Sequence, residues 1–405
     1  VVPATVRRPR IDLAFLSVVA VSAFYMFGFA AVFALLPKLQ DEHGLETKWL
    51  GLITATSVLC SVAAQLGLAR FADRGHALRM MRAGIVCMVV GFTWFAFATE
   101  LWQFAAARAV VGFGGGMFSP AARRTVVARD PARAGALLGT MVSVEVGGFM
   151  LGPPLALVLY SVGGLQLPFL VPAVLVGLAG CTVRVAAAAA VPTVTPKGAV
   201  RALLARPQVR AALLIASAAN LSIGAFEPII ARQLEDIGAG DTAIALTLAG
   251  FAVPYVFFSR FGGRLADRHG AYRTAVWSML VTVPVIATFG IATSALVIGV
   301  FGIVRSMFDT ITAPSGSSAM AHAAPSALLG TGQGLYGATA QVMTGVAALA
   351  GAPIYDVWGA RALWFASAGA MLVLTLWAAW IALRCGAWRP AVTRTADEAS
   401  LLPAP

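Results

Sequence analysis

Long apolar runs, separated by short polar or basic clusters, set the rhythm of this chain. A helix needs about 20 mostly apolar residues to cross the hydrocarbon core of a bilayer. Runs of that kind occupy twelve places: residues 13–37, 49–69, 80–99, 102–122, 135–161, 167–187, 211–231, 242–262, 274–293, 295–315, 328–354 and 362–383. The first and last runs carry no charge. The first is too long for a cleaved leader, and no small-residue cleavage site follows it. The pattern predicts an all-α integral membrane protein with 12 transmembrane helices.

Composition agrees. Of 405 residues, 59% are apolar and 11% charged, against roughly 45–50% and about 25% in soluble domains. So few charges cannot cover the surface of a water-soluble fold of this size. A soluble enzyme, a disordered chain and a disulfide scaffold are therefore excluded. The four cysteines (Cys60, Cys87, Cys181, Cys385) are far apart and form no metal-ligand pattern. No metal and no cofactor is expected. The excess of arginine over lysine, with abundant Ala and Gly, points to a GC-rich bacterial genome.

Basic residues orient the spans. With the N-terminus inside, the inner side holds Arg7, Arg8, Arg10 and the arginines after spans 2, 4, 6 and 8, whereas Lys38, Lys48, Arg232 and Arg361 fall outside. This asymmetry predicts cytoplasmic termini in a bacterial inner (plasma) membrane. The net charge of +12 then faces anionic membrane lipids rather than nucleic acid. Residues 191–210, with Pro192 and Pro196, read as a cytoplasmic linker. It divides an N-terminal six-helix bundle (1–190) from a C-terminal one (211–384). The tail 385–405 is expected to be disordered.

An internal repeat narrows the architecture. Ala69-Arg-Phe-Ala-Asp-Arg-Gly-His-Ala-Leu-Arg79 recurs 194 residues later as Gly263-Arg-Leu-Ala-Asp-Arg-His-Gly-Ala-Tyr-Arg273. Spans 1–6 and 7–12 are thus two parallel copies of one unit, an arrangement used by secondary transporters. The repeated loop is similar to the signature Gly-x-Leu-Ala-Asp-Arg-x-Gly of the major facilitator superfamily, and the chain resembles that family over essentially its whole length. The second copy matches fully at Gly263, Leu265, Ala266, Asp267, Arg268 and Gly270. The first departs at Ala69 and Phe71, and its Gly75 comes one place early. The resemblance implies a gating role for Asp73, Arg74, Arg79, Asp267, Arg268 and Arg273. Asp and Arg at a helix end can bond to neighbouring helix termini across a closed face.

Charges inside the spans carry the candidate chemistry. An intramembrane Arg costs about 2.5–3.5 kcal/mol on insertion scales, so Arg108 needs a partner or a cavity. Arg108 and Gly112, one turn apart, resemble the family's helix-4 Arg-x-x-x-Gly motif, associated with proton coupling. Gly148-x-x-x-Gly152-Pro153 gives a close-packing face followed by a kink. It resembles the antiporter motif of proton-driven exporters, although the further Gly expected after the proline is replaced by Leu155 and Ala156. Glu145, Glu227 and Asp309 are acids within spans, and ionised carboxylates are costly there, which suits them to take up and release protons. Arg305 and Asp309, spaced i, i+4, are expected to neutralise each other. Glu145 is expected to pair with Arg108. Glu227, beside Pro228 and with only Arg232 near in sequence, is the first choice as proton carrier. Tyr25, Phe27, Met117 and Tyr336 are expected to line a substrate pocket.

No ATP-binding loop, nucleophile elbow or histidine-rich metal motif occurs, so no enzyme is expected. The reading is a monomeric proton-coupled exporter of small apolar or cationic molecules, of the kind seen in multidrug efflux, working by alternating access. A proton-linked importer on the same fold is the alternative.

Overall fold

The computed structural model describes residues 13–43, 47–184 and 198–388. The N-terminal half comprises α1 (Leu13–His43), α2 (Thr47–Phe71), α3 (Ala77–Ala96), α4 (Leu101–Arg129), α5 (Ala134–Gly163) and α6 (Leu167–Cys181). A short helix, α7 (Ala199–Leu204), precedes α8 (Pro207–Asp236), α9 (Asp241–His269), α10 (Ala271–Phe289), α11 (Ala295–Ala323) and α12 (Leu329–Arg384). The last is two spans joined end to end. Gly359, at φ 77°, breaks the helical path inside it. Of the expected linker 191–210, residues 191–197 lie outside the described residues, as does the tail from residue 389. The rest of the linker is largely helical, since 199–204 form α7 and 207–210 already belong to α8. The tail's first residues, Cys385–Trp388, form a turn.

Helix boundaries follow local chemistry. Glu100 and Gln103 form a reciprocal capping box at the start of α4. Ser294 caps α11 by accepting from the Val297 N–H at 3.4 Å. Pro207 opens α8, where its missing N–H costs nothing. The one-place offset of Gly75 proves harmless. Gly75 and Gly270 both adopt positive φ, 81° and 93°, so each repeat turns the chain through a left-handed glycine between its second and third spans.

Buried side chains gather into two apolar cores. One runs from Val18 to Val183 and takes in Ala321 and Leu329 of the other half. The second runs from Ala199 to Ala387. Outside them, large apolar side chains such as Leu59, Trp102, Val162, Phe257, Trp277 and Leu349 are exposed, as lipid-facing surfaces are. Seven segments among the described residues are long and apolar enough to cross a membrane by composition alone. Among the described residues α4 falls short of that threshold. Its span carries Arg108, Gly112, Gly114, Gly115 and Gly116, and it lines the space between the halves.

Small residues let the helices approach closely. Gly148 and Gly152 of α5 face the Ala23 and Phe27 carbonyls of α1, and Gly112 of α4 faces the backbone of Ser57 on α2. Between the halves, Gly135 and Gly139 of α5 lie against Gly263 and Ser259 of α9, and Gly334 lies against Ala69 and Gln65.

Candidate functional site

A cavity of about 290 Å³ lies between the halves, walled by α1, α2, α4 and α5 on one side and α8, α9, α11 and α12 on the other. Tyr25 and Tyr336 face it, with Phe118, Gln65, Asn220 and Gln341. The Gln65 amide donates to the Gln341 Oε1 at 3.0 Å, joining the two halves across the cavity.

Two charged pairs belong to this space. Arg123 of α4 and Glu145 of α5 are ion-paired at 3.3 Å, and both side chains retain partial exposure, 20% and 15%. Arg123 Nη1 also donates to the Ser317 hydroxyl of the other half at 3.2 Å. Ser317 in turn donates to Gln333 at 3.0 Å. The second pair, Arg305–Asp309 on α11, is at 3.2 Å and almost fully buried. Arg305 reaches the Ser222 hydroxyl at 3.3 Å and lies over the Phe226 ring. Tyr255 hydrogen-bonds to Asp309. The expected i, i+4 pair is thus formed.

The expected pairing of Glu145 with Arg108 is not. Arg108 is buried, lies over the Phe29 ring at 4.4 Å and donates to the Phe29 carbonyl at 3.4 Å. Its Nε and Nη2 have no hydrogen-bond partner among the described residues. Arg123 takes Glu145 instead, because α4 continues to Arg129 rather than ending near residue 122. The sequence does hold a signal for this. Beyond Pro120, no helix breaker intervenes before Asp130-Pro131. Glu227 lies on α8, and its side chain is outside the described residues. Phe27 and Met117 do not line the cavity. Phe27 faces an apolar groove between α1, α5 and α6, and Met117 is buried in helix packing.

At the basic end of the bundle, two aspartates close the seam reciprocally. Asp73, buried, accepts from the Gly330 and Thr331 N–H groups at 2.6 and 2.7 Å and from the Thr331 hydroxyl at 2.6 Å. Arg124 donates to it at 3.1 Å. Asp267 accepts from the Gly135 and Ala136 N–H groups at 2.7 and 2.9 Å. In both cases the donors are first-turn amides of a helix in the opposite half, which have no partner in their own helix and carry partial positive charge. Burial pushes the Asp267 carboxyl above the usual carboxylate range, against the pull of those two N–H bonds. The flanking arginines behave differently. Arg74 sits over Phe71, and Arg79, Arg268 and Arg273 are exposed.

Two repeated helical halves, a cavity at their junction and a reciprocal latch at one end define a membrane transporter. The comparisons agree. A profile described as Major Facilitator Superfamily matches residues 18–230 and 211–400, and the chain belongs to that family. Multidrug resistance protein MdtG of Erwinia billingiae (strain Eb661) is 25% identical over 387 residues, covering 92% of this chain and 91% of the relative. Its namesake in Dickeya zeae (strain Ech586) is 24% identical over 354 residues, covering 84% and 86%. Among solved structures, the human organic anion transporter MFSD10 (TETRAN) superposes with a TM-score of 0.76 at 17% identity, covering 92% of this chain and 100% of that one. FucP in its outward conformation gives 0.73 at 19%, covering 92% and 99%. At such identities the structural matches speak for the fold.

Proposed function

We propose that this protein is a proton-coupled exporter of small apolar or cationic molecules, acting by alternating access in a bacterial inner membrane with both termini cytoplasmic. The observation that carries the reading is a cavity between the halves in which Glu145 and Asp309 are each matched by an arginine. The Gly148-x-x-x-Gly152-Pro153 face packed on α1 supports export, as does the similarity to multidrug resistance proteins. The bundles comprise residues 1–190 and 211–384, and the molecule works as a monomer. In this reading the latch made by Asp73 and Asp267 keeps the cytoplasmic face closed while the cavity exchanges with the outside. Protons enter on Glu145, Asp309 or Glu227, and a cation leaving by the same carboxylate displaces them. That competition for one group links the two flows.

A second reading, proton-linked import, is favoured by one feature. Arg123 already neutralises Glu145. A substrate anion that took Arg123 would leave Glu145 to bind a proton, so anion and proton would load together.

One assay tests both. Everted vesicles carrying the protein are acidified inside, and the gradient is followed with a pH-sensitive dye while lipophilic cations, neutral drugs, organic anions and sugars are added. Dissipation by cationic or neutral drugs, lost in Glu145→Gln, Asp309→Asn or Glu227→Gln, supports exchange and names the carrier. Silence there, with acid-driven anion uptake into right-side-out vesicles, replaces it with import.

A further inference from the structure

Arg123 and Arg124 are neighbours on α4, and each reaches a different acid. Arg124 donates to the latch residue Asp73 at 3.1 Å. Arg123 lines the cavity, and its Nη2 meets Glu145 at 3.3 Å. Its Nη1 crosses to the Ser317 hydroxyl of α11 at 3.2 Å. Its Nε is buried and has no hydrogen-bond partner among the described residues. The guanidinium is therefore divided between an acid of its own half and a hydroxyl of the other.

Beyond Ser317 the path continues to the latch. The Ser317 hydroxyl donates to Gln333 Oε1, and the Ser317 carbonyl accepts from the Gln333 amide, both at 3.0 Å. Gln333 lies two residues after Thr331, whose N–H and hydroxyl hold Asp73. Both arginines thus lead to the start of α12, one through Ser317 and Gln333 and the other through Asp73. Contiguous polar contacts of this kind let two sites bias one equilibrium.

Charge sets the direction of the effect. An ionised Glu145 is a counter-ion for Arg123. A proton on Glu145 cancels it and leaves the guanidinium, in a largely enclosed place, on a neutral hydroxyl. A buried charge without its partner is costly, and parting of the halves relieves that cost by admitting water. The other groups around Glu145 do not replace the lost charge. Tyr25 of α1, Tyr255 of α9 and Tyr336 of α12 face the same cavity, and phenols are uncharged near neutral pH. Gln65 of α2 and Asn220 of α8 are amides, and α6 carries no ionisable side chain before Cys181. Asp309 of α11 is already paired with Arg305.

We propose that Arg123 is the positioning residue that carries the protonation of Glu145 to the Asp73 latch. The charged pair keeps the basic end closed, and a proton on Glu145 opens it as the Arg123–Ser317–Gln333 contacts part. This role rests on the reading that Glu145 takes up a proton.

The test uses the full chain in nanodiscs, with spin labels on His76→Cys and Ser326→Cys in a background lacking native cysteines. Both positions are exposed and flank the Asp73 latch. At neutral pH, Glu145→Gln represents the protonated acid and is expected to lower the closed-to-open ratio by about tenfold, within the usual range for coupled sites. In an Arg123→Gln background the same change should have no effect, because residues joined in one network are not additive. Ser317→Ala leaves the ion pair in place but cuts the path to α12, and it gives the same cycle if Arg123→Gln does not fold. Acidification should open the unaltered latch, and the part of that response lost in Glu145→Gln should also be lost in Ser317→Ala. Equal shifts from Glu145→Gln with and without these changes overturn the proposal, as does the absence of any shift in the otherwise unaltered protein. The measurement needs no substrate, so such a failure is separate from a failure of proton-coupled export, which the vesicle assay reports.

Discussion

Arg108 and Arg305 stand 197 residues apart and make the same contact. Each guanidinium lies over a phenylalanine ring, Phe29 at 4.4 Å and Phe226 at 4.2 Å. Those rings are also 197 residues apart. The repeat therefore extends from the loop signature into the helix cores, where cation–π contact partly compensates the desolvated guanidinium. One position breaks the symmetry. Four residues after Arg305 stands Asp309, but four after Arg108 stands Gly112, packed against the Ser57 backbone. Only the C-terminal copy has a carboxylate partner on its own helix.

That asymmetry makes the Arg305–Asp309 pair a test of buried-charge energetics. Removing one partner leaves the other charge buried, at a cost of about 3–5 kcal/mol. Asp309→Asn and Arg305→Ala should each lower the melting temperature of the solubilised protein strongly. Arg305→Met/Asp309→Leu should be milder than either single change. A double variant no more stable than the singles would refute the pairing.

Glu145→Gln should remove the part of the pH dependence of ligand binding that Glu145 contributes, with Asp309 and Glu227 left to supply the remainder. It should leave the protein folded, because Arg123 keeps Ser317 as a partner. Arg123→Ala should cut transport by at least about tenfold, the effect of losing roughly 1.4 kcal/mol. Ligand titrations over a range of pH check the first expectation, and vesicle transport rates check the second.

Asp73→Asn and Asp267→Asn keep the shape of each latch but remove its charge. Hydrogen bonds to charged groups contribute about 1.5–3 kcal/mol each, so the closed population of the basic end should fall by at least about tenfold. Cysteine cross-linking between Ala136→Cys and Arg260→Cys measures this directly. Unchanged cross-linking in both variants would mean that the aspartates do not hold the end shut.

Glycine substitutions separate packing from mere composition. At Gly112 a new Cβ would meet the Ser57 backbone, whereas Gly67 has open space around it. Gly112→Ala is expected to destabilise by about 1–3 kcal/mol, the usual cost of overpacking, and Gly67→Ala to be neutral. Melting curves of the two variants should differ clearly.

What the sequence determined by itself was whatever is local or compositional. Apolar runs of membrane length placed the spans. The repeated Asp-Arg loops revealed the repeated unit and singled out Asp73 and Asp267, which the structure places against first-turn amides of the opposite half. The i, i+4 spacing sufficed for Arg305–Asp309, since helix geometry alone brings those side chains together. The tertiary structure decided which way each helix faces. Lipid and protein core are both apolar, so periodicity says little about the side turned to the cavity. Rotation is fixed instead by close approaches such as Gly112 on Ser57 and Gly152 on Phe27. Those contacts keep Phe27 and Met117 out of the cavity, while the length of α4, which runs on to Arg129, sets Arg123 rather than Arg108 at the height of Glu145. They also bring each latch aspartate to a helix N-terminus from the opposite half, a relation between residues more than a hundred positions apart.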